Sequence, residues 1–382
     1  MKIKTMKMCL AAFIFSLFVL AGISMDCFAD SHSDAKKAKE ITINKIVTDT
    51  LESPDAQHWY KFKITEPGYF RVCLGPNAKA APEDIQSGWR FYVYKNGSFN
   101  EEISLKDNII AYEKSQYIAF SPDTYYIKVI NERTESYNAT NNAPFDLKVE
   151  FTKSNKWEQE SNDSFEKANA ISVNSVCYGS LYRNEDEDWF KYTVTEDGIH
   201  SFSMAPDAQM SDSDSINDGW DYAVYSSIRK IAINSKTKVI KLNYSKKYQL
   251  KKGTYYIRIK ANGSFDNQNP KGQVYNFKVN FEPYKQAIAR ETVNVSKVKA
   301  AKKKATIKWK KISYASGYEI YRSTKAKKGF KKVATVSSKK NSYVNKKLKS
   351  KKTYYYKVRA YKKIKGKKYY SNFSHVKKVK VK

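Results

Sequence analysis

The stretch HWYKFKITEPG, residues 58–68, returns 130 residues later as DWFKYTVTEDG, residues 188–198. In the first, Tyr60, Phe62 and Ile64 fall on one side of an extended chain and Trp59, Lys61 and Lys63 on the other, with a glycine turn closing the run. The same shift aligns ITINKIVTDTL (41–51) with ISVNSVCYGSL (171–181), TYYIKV (124–129) with TYYIRI (254–259), and LKVEF (147–151) with FKVNF (277–281). Between them SGWRFYVY (87–94) meets DGWDYAVY (218–225) at a shift of 131, so one insertion and one deletion separate two copies of a single unit. In the second copy Tyr255, Ile257 and Ile259 alternate with Tyr256, Arg258 and Lys260. Many short alternating runs between Gly, Pro, Asn and Asp turns predict antiparallel sandwiches.

The organisation read from the sequence is a signal segment at 1–29, copies at 30–153 and 154–283, a linker at 284–292 and a third unit at 293–382. Lysines at Lys2, Lys4 and Lys7 precede an apolar run from Cys9 to Ile23 and a small residue at Ala29, the pattern of a secretory signal. That run is short of the roughly 20 residues that span a bilayer, and VKKVKVK at the end carries neither a sorting motif nor an apolar anchor. An exported chain without a transmembrane segment is expected. Cys73 and Cys177 would remain after cleavage, each in a β-like run, and they read as small buried residues rather than a disulfide framework.

Charge separates the third unit from the rest. Of the net +32, residues 293–382 hold 32 Lys and Arg against one acid, Glu319, a balance of +31. Outside a cell such a module should gather on polyanions: anionic cell-wall polymers, extracellular glycans, mucin or released DNA. Lysine in place of arginine suits diffuse attraction over shaped recognition, and export removes the usual target of a specific nucleic-acid binder. The alternative is that the charge serves solubility.

Acids concentrate instead in KWEQESNDSFEKAN (156–169) and NEDEDWF (184–190). Glu158, Glu160 and Asn162 are spaced by two, which turns all three the same way in an extended segment, and Asp163 follows. Such oxygen donors suit calcium, with no nearby Cys or His to suggest a softer metal. The competing reading is a solvated linker in which Asp163 and Glu166 cap a short helix through Ala168. A second run, DAQMSDSDSINDGWD (207–221), fails the calcium-loop spacing, since Ile216 takes the fifth position and Gly219 comes two residues late.

WEQESNDSFEKANAI, GSL, EDEDWFKYTVTEDG and GTYYIRI together resemble the bacterial pre-peptidase C-terminal domains, the family that includes the collagen-binding domains of clostridial collagenases. The resemblance covers 157–283 and reaches 40–151 through the repeat. In residues 293–382, ATIKWKKI, GYEIYRST, KKVATV, NSYVNKKL, TYYYKVRAY and YYSNFS resemble fibronectin type III modules of secreted Gram-positive proteins. Trp309 matches the core tryptophan, Leu348 and Tyr354 the tyrosine corner, and Tyr354, Tyr356, Val358 and Ala360 the inward face of a central strand. The expected fold is therefore all-β: two tandem jelly-roll-like antiparallel sandwiches and an immunoglobulin-like sandwich.

The family likeness implies one Ca²⁺ site in the second copy, held by Glu158, Glu160, Asn162, Asp163, Glu185 and Asp188, with Asp186 able to replace Glu185. The first copy has His58 and Asp55 at the positions of Asp188 and Glu185, and no such site is expected there. No HExxH, GxSxG or phosphate-cradling glycine loop occurs, and the four histidines stand apart. A non-enzyme is expected: a wall- or matrix-associated binding protein, or alternatively an accessory subunit that brings a secreted hydrolase to polysaccharide or protein. Trp89 and Trp220, aligned between copies, read as core residues, with sugar-stacking platforms as the other possibility.

Overall fold

The computed structural model describes residues 33–382 except 97–98, 100–101, 133–139, 141, 183–185, 210–218, 227–231 and 263–272. The signal segment, Glu185 and most of the acidic run at 207–221 lie outside the described residues. The chain is almost wholly β-structure, and no helix among the described residues is long and apolar enough to cross a membrane.

The first sandwich packs a five-stranded sheet, in the order Lys39–Glu40, Gln57–Ile64, Asp123–Asn131, Trp89–Lys95, Glu102–Ile109, on a four-stranded one. The latter runs Ile46–Thr50, Pro144–Lys153, Gly68–Pro76, Glu113–Lys114. The second sandwich has the same strands 130 or 131 residues on: Glu187–Val194, Gly253–Ala261 and Trp220–Ser226 in one sheet, Val176–Ser180, Val274–Pro283 and Gly198–Pro206 in the other. Among the described strands pairing is antiparallel save for the two-residue edge strands Lys39–Glu40 and Asn169–Ala170, which run parallel to their neighbours; the isolated bridges Phe120–Glu160, Trp157–Tyr178 and Thr292–Asn372 are also parallel.

The alternation explains the cores. Tyr60, Phe62 and Ile64 turn inward to meet Phe70, Val72 and Leu74, and Phe190, Tyr192 and Val194 do the same in the second sandwich. Trp89 and Trp220 are fully buried against Phe145 and Tyr275, so both are core residues rather than sugar platforms. Each follows a glycine with positive φ, Gly88 at 70° and Gly219 at 63°, where a side chain would also meet the backbone of Ile109 or Val239. Cys73 and Cys177 are buried and free.

The third unit packs the sheet Val295–Ala301, Lys304–Trp309, Ser342–Asn345 on Lys331–Ser337, Gly317–Ser323, Thr353–Ile364, Lys367–Tyr370, with Lys377–Lys380 also paired to Thr353–Ile364. Trp309, Leu348, Tyr354, Tyr356, Val358 and Ala360 are buried together. The Tyr354 hydroxyl accepts from Lys349 N at 3.1 Å, which closes the tyrosine corner. The first and last strands were not among the runs legible in the sequence.

Residues 284–292, read as a linker, open with a helix, Tyr284–Arg290. Its Tyr284, Ala287 and Ile288, at helical spacing, are buried in one cluster with Trp309 and Tyr314 of the third unit and Ile199 of the second sandwich. Tyr284 stacks on Tyr314 at 5.7 Å between centroids, and Lys362 Nζ lies 3.8 Å from the Tyr284 ring centre.

Candidate functional site

The acidic linker is threaded between the first two sandwiches. Glu160 N donates to Ala119 O at 3.0 Å, and Ser121 Oγ donates to Glu160 O at 2.8 Å, which ties it to the first sandwich. Glu158 N donates to Tyr178 O and Tyr178 N to Lys156 O, which ties it to the edge of the second. Trp157 fills the seam, stacked on Tyr69 at 4.4 Å and on Tyr178 at 6.0 Å, beside Tyr117, Ala119 and Val274. Phe120 of the first sandwich meets Tyr182 edge to face.

That threading buries Glu158, Glu160 and Asn162 almost completely and sets them against Asp188 at the start of its strand. Ligand atoms of Glu158, Glu160 and Asp188 lie within 4.8 Å of one another, as do those of Glu160, Asp163 and Asp186, so Glu160 belongs to both groups. Asp186 therefore joins the cluster in its own right; the sequence offered it only as a substitute for Glu185. The short helix of the competing reading does not form: Lys167 N and Ala168 N donate to Ser164 O and Phe165 O in a turn.

Three residues outside the acidic runs complete the surroundings. Ser180 N donates to Glu158 Oε1 at 2.5 Å. The Tyr275 hydroxyl reaches both Asp188 Oδ2 and Glu158 Oε2, the latter at 3.1 Å. Gly179 is opposite Tyr275 in the ladder, and a Cβ there would run into the Tyr275 hydroxyl and the Glu158 carboxylate. Sequence reasoning missed all three. The one signal available was that the aligned first-copy residues differ: Asp49 for Gly179 and Phe145 for Tyr275.

The electrostatics of this arrangement are unfavourable for bare carboxylates. Burial, then repulsion from Glu160, pushes the Glu158 carboxyl well above its ordinary pKa. Burial followed by Asp188 and Asp186 does so for Glu160, and burial followed by Glu158 for Asp188. No described lysine or arginine pairs with Glu158, Glu160 or Asp188, and Glu160 Oε1, buried, has no hydrogen-bond partner. The Asn162 amide lies beside Glu160 Oε2 and Asp188 Oδ1, and with its NH₂ turned toward them it donates to both, at 2.8 and 3.3 Å. The donors are all oxygen, which fits a hard cation in place of protons. A groove of about 540 Å³ lined by Lys156, Trp157, Glu158, Asn169 and Cys177 opens beside the cluster.

The third unit offers a different surface. On the outward face of strand Thr353–Ile364, Arg359 lies over the Tyr370 ring at 3.7 Å and Lys357 over Phe373 at 3.9 Å, while Lys368 covers Tyr361 at 4.2 Å. Glu319, fully buried, sits among them.

No protein-family model matches the chain. It is similar to collagenase ColT of Clostridium tetani (strain Massachusetts / E88), 25% identical over 179 residues, which covers 43% of this chain and 16% of the collagenase. Among solved structures it is similar to the pre-peptidase C-terminal domain of a Bacillus anthracis collagenase, at 17% identity and a TM-score of 0.23, over 29% of this chain and 93% of that one. It is also similar to the fibronectin type III domain of human fibronectin type III domain containing protein 3, at 22% identity and a TM-score of 0.21, over 24% of this chain and 86% of the other.

Proposed function

We propose that the chain is an exported, non-catalytic binding protein of the wall or matrix: two pre-peptidase-type sandwiches joined through a calcium site, and a polybasic fibronectin type III module that attracts anionic polymers. The observation that carries the reading is the joint itself. The segment that supplies Glu158 and Glu160 to the buried cluster is the one whose backbone bonds both sandwiches, so an ion there fastens one to the other. Calcium is the cation of choice because it accepts six to eight oxygens at roughly 2.3–2.6 Å in irregular geometry, which suits carboxylates drawn from a linker and a strand end. Glu158, Glu160, Asn162, Asp163, Asp186 and Asp188 are its proposed ligands, with Glu185 as the remaining candidate.

Tyr275 orients Glu158 and Asp188 without being a ligand. Tyr275→Phe, a side chain that the first sandwich already carries as Phe145, is expected to weaken Ca²⁺ binding roughly tenfold or more. Calorimetric titration of the full chain checks this; unchanged affinity would remove Tyr275 from the site.

The adhesive part of the reading rests on residues 293–382, where 32 basic residues face one acid. The full chain is expected to bind an immobilised anionic wall polymer at low salt and to release it on the order of 1 M salt, where the screening length falls to about 3 Å. Retention that ignores salt would defeat diffuse polyanion attraction. The likeness to a collagenase over 43% of the chain favours a second reading, an accessory module that brings a separate hydrolase to its substrate. Salt-resistant binding to a matrix protein, together with co-purification of a hydrolase, would select it.

A further inference from the structure

The position that carries Asp188 in the second sandwich carries His58 in the first, and the surroundings have changed with it. Asp188 lies opposite Ile259 in its ladder and His58 opposite Val129, 130 residues earlier, so the two side chains occupy matching places in matching sheets. Gly179 opposite Tyr275 becomes Asp49 opposite Phe145. Phe190, two residues after Asp188, becomes Tyr60, two after His58. One copy thus brings its carboxylate from the linker, as Glu158, and leaves room for it with a glycine. The other brings a carboxylate from the strand itself, as Asp49, and moves the phenol from the residue opposite to Tyr60, on the strand of His58 in the other sheet.

His58 is 1% exposed, and both ring nitrogens face carboxylates: Nδ1 lies 3.4 Å from Asp49 Oδ2 and Nε2 lies 3.2 Å from Glu52 Oε2. A neutral imidazole carries one proton and could donate to only one of them. Asp49 also accepts from the Tyr60 hydroxyl at 2.8 Å and from Thr50 N at 2.8 Å, with Lys39 Nζ at 3.5 Å on its outer side. The residue opposite His58 is the apolar Val129, and Phe145 opposite Asp49 adds no charge. Among the described residues, the charged groups that face this imidazole are therefore Asp49 and Glu52, with Lys39 behind Asp49. Burial raises the Asp49 carboxyl, but hydrogen bonds from His58 and Tyr60 outweigh it and hold Asp49 well below the carboxylate range.

We infer that the first sandwich carries its own cation: His58, protonated on both nitrogens, balances Asp49 and Glu52 where the second sandwich gathers carboxylates around a metal-sized gap in charge. The two sandwiches then answer to different solutes. A histidine held charged by partners contributes stability that is complete below its unfolded pKa and is lost as pH rises through its folded one, and chelators do not touch it. The inference rests on the His58 and Asp49 geometry and does not depend on which ion the second sandwich takes.

Histidine ring resonances of the full chain, which has four histidines, report this directly, with His58 assigned by its absence in His58→Gln. The expected result is a His58 titration at least one unit above the ordinary value of about 6.5, a tenfold or greater gain in proton affinity, unchanged by chelator. In Asp49→Asn that titration should fall by a unit or more. A wild-type His58 that titrates at or below 6.5, or whose titration moves with chelator, would overturn the inference, and that measurement needs no variant beyond the one used for assignment.

Discussion

Chelation of calcium is expected to lower the melting temperature of the second sandwich by on the order of 10 °C at neutral pH. A ligand held at about 1,000 times its Kd stabilises the folded state by about 4.1 kcal/mol, and each kcal/mol moves the midpoint of a domain of this size by roughly 3–6 °C. The chelated protein has an opposite pH response to that of an ordinary acidic cluster. Because the folded-state pKa values of Glu158, Glu160 and Asp188 are raised, the stability they retain without metal is present below the unfolded carboxylate range near 4 and is lost as pH rises toward their folded values. With calcium present the ion competes with those protons, so affinity rises over the same interval. Glu160→Gln and Asp188→Asn should each abolish the calcium-dependent part of the melt. Hydrogen exchange in 117–121 and 157–162 should quicken on chelation, since Glu160 is bonded to Ala119 and Ser121. Superimposable melts with calcium and with chelator would end the proposal.

Glu319→Gln is expected to destabilise the third unit by about 3 kcal/mol, large against the 5–15 kcal/mol by which most domains are stable. Glu319 is the one acid among 90 residues, and it is fully buried. Arg359 donates to its Oε2 at 2.8 and 3.1 Å, Tyr321 to the same oxygen at 3.1 Å, and Lys332 and Lys368 each reach Oε1 at 3.3 Å. Burial alone would raise its pKa; these partners bring it down to about 2 instead. Its contribution is thus present above the unfolded carboxylate pKa and lost as pH falls toward 2. Glutamine keeps the shape and some hydrogen bonds but leaves Arg359, Lys332 and Lys368 around an uncharged group, in a module already strained by self-repulsion. Denaturant unfolding at pH 7 and at pH 3 measures the effect, which should shrink at the lower pH. A loss below about 1 kcal/mol at pH 7 would show that solvent already screens the cluster.

How much of this was legible in the sequence depended on what local pattern each residue obeys. The sandwich strands announce themselves through period-two alternation, and Tyr354, Tyr356, Val358 and Ala360 are buried as their spacing implies. The two-residue strands Lys39–Glu40 and Asn169–Ala170 are too short to alternate and exist only because a neighbouring strand accepts them. The helix Tyr284–Arg290 was hidden by its length, although Tyr284, Ala287 and Ile288 have helical spacing. At the acidic cluster, the run of acids pointed to Glu158, Glu160, Asn162 and Asp163, but the place of Asp186 in it follows from burial, which composition does not encode. Tyr275 is 87 residues from Asp188 and 117 from Glu158, in a run that reads as any other core strand. In the sequence His58 shows only that a carboxylate is missing; its contacts with Asp49 and Glu52 come from the fold.

The helix Tyr284–Arg290 determines how far the basic module can reach. Its Tyr284 donates to Gln249 Oε1 at 3.3 Å on one side and stacks on Tyr314 on the other, while Asn372 N donates to Glu291 O at 2.9 Å just beyond it. A flexible tether would let the module search a volume that grows with linker length and would forgive irregular spacing on a target. A packed helix does not. On any target that the basic module were to bind, the second sandwich would be presented at a set angle, and engagement of two surfaces together would depend on the spacing of sites on that target.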